Sequence, residues 1–137
     1  MHGGYAREVV AGQPLPAVHV AALPPGWRVY ATGTGLIATS WRYRPDSLGP
    51  ATAMPQGGVI VNVFFPPGEK KALAPLRLVL PPRPATLLEG TTDTPEYRIH
   101  GRVSGRDVEV WVDVRGGRPS RSKRRLIQHV LSSLRFG

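Results

Sequence analysis

The sequence predicts an α+β domain: an antiparallel sheet of about five strands with a C-terminal amphipathic helix packed on one face. Three observations lead there. Two runs of period-two alternation, within residues 97–114, flank Ser104-Gly105 in the manner of a β-hairpin. Val59–Phe65 is apolar at every position but Asn62, as in a central strand covered on both faces. Leu126, Ile127, Val130, Leu131 and Leu134 recur at helical spacing near the end of the chain.

The chain is 137 residues long, the size of one domain, and is read as a Pro-rich N-terminal arm (residues 1–25) followed by a single α+β domain (residues 26–137). In the arm, Pro14, Pro16, Pro24 and Pro25 interrupt regular structure, leaving room for a short edge strand at Val18–Ala21. Leu36–Tyr43 alternates and reads as the first strand of the domain. A Pro/Gly-rich loop follows from Pro45 to Gly58, then the Val59–Phe65 strand, closed by Pro66-Pro67-Gly68. Leu76–Leu80 reads as a short strand ended by Pro81-Pro82, and residues 81–94 as a long loop.

The hairpin predicts its own register. A two-residue loop at Ser104-Gly105 sets Val103 opposite Arg106, and each further pair steps outward. One face then pairs Gly101 with Val108, Ile99 with Val110 and Tyr97 with Val112. The other pairs Arg102 with Asp107, His100 with Glu109 and Arg98 with Trp111. A slip by one residue would destroy both patterns together. Pro119 then precedes Ser120, the expected N-cap of the final helix, whose apolar stripe needs the apolar face of the hairpin as partner.

Composition narrows the chemistry. The chain has no cysteine, which excludes disulfides, thiolate metal ligands and a cysteine nucleophile. His2, His19, His100 and His129 show no metal-ligand spacing, so no metal and no cofactor are expected. There is no Gly-x-Ser-x-Gly elbow and no phosphate-binding loop; Gly33-Thr34-Gly35 is a lone pair of glycines leading into a strand. Glu109 and Asp113 stand about 13 Å apart along one strand face, too far to share a proton. No run reaches the ~18 apolar residues of a membrane helix, and the N-terminus lacks a signal-peptide pattern. These features predict a protein that is not an enzyme.

The most unusual feature is basic. Net charge is +9, and six cations (Arg115, Arg118, Arg121, Lys123, Arg124 and Arg125) fall within eleven residues at the start of the helix. Cations there oppose the helix dipole by a few tenths of a kcal/mol each, roughly. Two readings stand side by side: a solvated charged face, or a site for an anionic partner such as nucleic-acid phosphate, anionic lipid headgroups or an acidic protein face. Arg98 and Trp111, paired on the polar face, form a second candidate contact surface. No helix-turn-helix, zinc finger or run of exposed aromatics supports nucleic acid in particular.

Leu23-Pro24-Pro25-Gly26-Trp27, Thr39-Ser40-Trp41, Gly57-Gly58-Val59-Ile60-Val61 and the closing Val130-Leu131-Ser132-Ser133-Leu134 resemble extracytoplasmic domains of uncharacterised actinobacterial membrane-anchored proteins and lipoproteins. The closing segment is also similar to the end of PsbP/Mog1-like domains. The first resemblance covers about residues 23–136. It implies a non-catalytic extracytoplasmic accessory or interaction domain, tethered by an upstream segment. The expected partner is another protein or an anionic surface. The alternatives are a cytoplasmic basic protein that binds nucleic acid or another polyanion through residues 115–125, and a structural assembly component.

Overall fold

The structure is a computed structural model that describes residues 6–43, 54–67, 74–88 and 90–137. Much of the expected Pro45–Gly58 loop lies outside the described residues. Among the described residues, nine strands and one helix follow in order: β1 (Arg7–Val9), β2 (Val18–Val20), β3 (Arg28–Ala31), β4 (Gly35–Thr39), β5 (Val59–Phe64), β6 (Thr86–Leu87), β7 (Pro95–Val103), β8 (Arg106–Val114), α1 (Arg121–Ser132) and β9 (Leu134–Phe136). Seven strands form one antiparallel sheet in the order β1-β3-β4-β5-β8-β7-β6, and β2 pairs with β9 in a second. The α+β class holds. The expected five strands become seven, plus the two-stranded sheet.

The hairpin is the longest element and matches its expected register at every pair, from Val103 opposite Arg106 to Tyr97 opposite Val112. Ser104 and Gly105 take φ of 49° and 78°, the left-handed pair that a two-residue turn requires. The right-handed strand twist selects this turn, and the turn in turn sets which face each side chain takes.

Outward from the hairpin, one row of side chains crosses six strands. Val9, Val29, Ala38, Val61, Val112 and Tyr97 face each other in succession, and all six are buried. Each buried aliphatic side chain contributes roughly 1.5–3 kcal/mol, so this face is the energetic centre of the fold. Ile127, Val130 and Leu131 of α1 join the same apolar cluster, with Val18 and Val20 of β2 and Leu134 of β9.

Several elements depart from expectation. In the residues read as arm, β1 is unexpected, whereas β2 falls where a short edge strand at Val18–Ala21 is expected; Pro14 and Pro16 stand between the two strands. The first domain strand stops at Thr39, where its hydroxyl turns back to the Trp41 carbonyl. Leu76–Leu80 is not a strand. It is an irregular segment held by Leu76 N–H on Arg102 O (3.1 Å) and by the Gln128 side chain, which bonds Leu78 O (2.7 Å) and Leu80 N (2.9 Å). Its only ladder-type pairing among the described residues is an isolated parallel bridge just before it, between Pro75 and Arg102. The 81–94 loop contains β6, which pairs with the start of β7. Leu126 is 45% exposed, against the expectation that it is buried. The stripe centres on Ile127, Val130 and Leu131, and Leu126 lies about 90° around the helix from that centre. His100 contacts Asp107 diagonally (3.9 Å) instead of Glu109, whose carboxylate accepts from Trp111 Nε1 (3.0 Å).

Gly101 permits a close crossing of the 74–78 segment over the sheet. A Cβ there would sit 2.3 Å from Leu76 Cα. Gly101→Val is expected to lose about 3 kcal/mol in urea unfolding through forced displacement of residues 74–78. Gly33→Ala, where a Cβ meets nothing within 4 Å, is expected to change stability by less than about 0.5 kcal/mol.

Candidate functional site

Residues 115–125 connect the central sheet to the helix, and two glycines shape that connection. Gly116 and Gly117 take φ of 105° and 100° and donate both amides to Asp93 O (2.9 and 2.8 Å). Ser120 then caps α1 as expected, its hydroxyl accepting from Lys123 N (3.2 Å). No acid stands in the first helical turn, so the helix dipole is left uncompensated.

The six cations divide into two groups of three. Arg115 reaches Met54 O and lies 3.9 Å from Asp93. Lys123 Nζ donates to Gly57 O (2.8 Å). Arg124 donates to Leu80 O (3.1 Å) and Pro81 O (2.9 Å), and its guanidinium sits 5.9 Å over the Tyr97 ring. These three fasten the helix start to the loops around it, satisfying carbonyls that lie outside the sheet ladder. Arg118, Arg121 and Arg125 make no ion pair or side-chain hydrogen bond among the described residues. Arg121 and Arg125, one turn apart, line a concavity of about 490 Å³ with Leu80, Arg124 and Gln128. Arg118 lines an adjoining hollow of about 210 Å³ with Pro82, Tyr97, Pro119 and Arg124.

The second candidate surface also forms. On the polar face of the sheet, Arg98 lies 4.3 Å over the Trp111 ring, and Phe64 meets that ring edge-on at 5.1 Å. Arg98 is not free, however. It bonds Glu96 Oε1 through Nε (2.8 Å) and Nη2 (2.7 Å).

That ion pair reveals a feature that the sequence reading missed. Glu96 stands directly opposite Asp113 in the β7–β8 ladder. Both are buried, at 2% and 6% exposure. Carrying the hairpin register one pair beyond Tyr97–Val112 finds this juxtaposition; measuring carboxylate spacing only along β8 does not. Alternating outward from the turn, the pair falls in a non-hydrogen-bonded position, where facing Cα atoms lie about 4.5 Å apart. Burial pushes the Asp113 carboxyl up to about 8, helped by its hydrogen bond to Glu96 and by the charge of Glu96, with Arg98 opposing. Asp113 Oδ1 has no hydrogen-bond partner among the described residues. Its setting therefore favours the protonated, neutral form of Asp113 beside Glu96. Among the described residues, no three His, Asp or Glu side chains gather where a metal ion could be held, and no helix is long and apolar enough to cross a membrane.

The raised Asp113 value has a definite sign. Between its ordinary value of 3.8 and about 8, the folded chain keeps a proton that the unfolded chain releases. The group's contribution is fully present below pH 4 and is lost as pH rises toward 8. Asp113→Asn keeps the hydrogen bond to Glu96 without the titration. Its stability relative to the parent, read from urea midpoints, is expected to rise steadily from pH 4 to pH 8 and then level off. A difference that stays constant with pH contradicts the raised Asp113 value.

No family model, curated protein or solved structure matches this chain.

Proposed function

We propose that this protein is a non-catalytic interaction domain that docks an acidic protein segment through Arg118, Arg121 and Arg125. One observation carries the proposal. Half of the basic run is tied to backbone carbonyls and holds the helix start rigid, and the other half lines two adjoining hollows with no partner among the described residues. The guanidinium fork matches a carboxylate in two parallel hydrogen bonds, and a fixed platform reduces the ordering cost of binding. Leu80, Pro82 and Pro119 give the same surface an apolar component that suits a peptide more than a phosphate ladder.

The non-catalytic half of the proposal is supported by the closed setting of Glu96 and Asp113. A carboxylate pair sealed at that level reaches no substrate. The extracytoplasmic placement belongs to the same proposal and rests on the resemblance of residues 23–136 to actinobacterial membrane-anchored domains. A membrane tether found encoded upstream would support it. Nucleic acid is the second reading, favoured by the net charge of +9. Against it, the larger hollow carries no aromatic ring on which a base would stack.

Binding of a poly-glutamate peptide and of a single-stranded oligonucleotide separates the two readings. The peptide is expected to bind with a salt-dependent Kd, weakened by between about threefold and about 150-fold by combined Arg118/Arg121/Arg125→Gln, since each exposed pair is worth about 0.2–1 kcal/mol. The triple variant keeps its thermal stability. Arg124→Gln, which strips the donor from two carbonyls, is expected to lose about 1–3 kcal/mol of stability. Tighter binding of the oligonucleotide, or an unchanged peptide Kd in the triple variant, contradicts the proposal.

A further inference from the structure

The core-facing positions of the larger sheet are apolar along every strand except at two points, Arg7 on β1 and Arg106 on β8. Both lie at the same end of the sheet. Arg7 stands opposite Ala31 at the end of β3, and Arg106 stands opposite Val103 beside the hairpin turn. Both line one cavity of about 400 Å³, whose lining also includes residues 15–18 at the start of β2.

The lining is amphipathic. Leu15, Val18 and Phe65 form an apolar side, and residues 32–35 form a polar rim. That rim is a tight turn, with Thr32 Oγ1 accepting from Gly35 N (2.9 Å) and Thr32 N donating to Gly35 O (3.0 Å). The Arg7 side chain makes no ion pair or hydrogen bond among the described residues. The Arg106 guanidinium makes one contact, over the Phe65 ring at 4.0 Å. Both arginines are exposed at the sheet end, so neither charge costs burial, and together they put two cations without an anion at one cavity mouth.

We propose that this cavity binds a small amphipathic anion, a carboxylate carried on a short apolar body. Arg7 and Arg106 take the carboxylate, and the body lies against Leu15, Val18 and Phe65. The volume is near the lower end of the usual range for ligand sites, about 300–1,000 Å³, which limits the body to a short chain or a single ring. The site is separate from the helix start. Arg106 and Val114 are at opposite ends of β8, about 27 Å apart along an extended strand.

Octanoate, below its micellar concentration, is the probe, titrated into the isotope-labelled full chain and followed by amide chemical shifts. The expected result is saturable shifts confined to Val18, residues 32–35, Phe65 and Arg106. Combined Arg7→Gln and Arg106→Gln is expected to weaken binding about tenfold or more, as for loss of a hydrogen bond to a charged group. Ala31→Leu, which fills the cavity and keeps both charges, is expected to abolish the shifts. Octylammonium is expected to leave these residues unmoved, and acetate to bind at least about tenfold more weakly than octanoate. Equal response to octylammonium, equal affinity for acetate, shifts dispersed over the surface, or full octanoate affinity in Ala31→Leu overturns the proposal.

Discussion

The fold depends on the alternation that puts Val108, Val110, Val112 and Val114 on one side of β8 and Asp107, Glu109, Trp111 and Asp113 on the other. Those valines sit at the middle of the sheet, between β5 and β7. Shifting the ladder by one residue would bring Glu109, Trp111 and Asp113 into the apolar layer and turn the valines outward. Burying two unpaired carboxylates in place of four valines costs more than a domain of this size has in net stability. The helix, the β2–β9 sheet and the 74–80 segment all settle on the face that this register makes apolar.

The same constraint explains what was legible in the sequence. The β7–β8 hairpin could be read to the residue, since a two-residue turn and nine-residue strands leave one register in which both faces make sense. The helix cap at Ser120 was equally plain, since Pro119 and the apolar stripe bracket it. The β1, β3, β6 and β9 strands were not seen. They span two to four residues each, too short for alternation to appear, and what makes them strands is a neighbour with free backbone groups at its edge. Leu76–Leu80 erred in the other direction. Its apolar content is real, but Leu76 and Leu78 pack against the core from a segment whose backbone bonds go to Arg102 and the Gln128 side chain.

Charge was legible as composition and illegible as arrangement. A run of six cations reads as one site, yet the folded chain uses Arg115, Lys123 and Arg124 as backbone ties. Which half stays free depends on where carbonyls from residues 54–57 and 80–81 come to lie, and that is tertiary information. The Glu96–Asp113 pair was within reach, one step along a register already in hand. Its burial was not, because residues from outside the hairpin close that part of the polar face: Ile60 and Thr39 stand beside Asp113 in the same cross-strand row. The molecule thus carries charge in three settings. One set stabilises loops, one is a buried carboxyl pair in which burial favours a neutral Asp113, and one is left facing solvent near the two ends of β8.

The register of β7 against β8 can be observed directly. In the folded chain, cross-strand Hα–Hα contacts mark the non-hydrogen-bonded pairs of an antiparallel ladder. The account predicts nuclear Overhauser contacts for Arg102–Asp107, His100–Glu109, Arg98–Trp111 and Glu96–Asp113. Contacts displaced by one residue, such as Arg98 with Val110 or Val112, would contradict it, and with it the apolar face on which the rest of the structure is assembled.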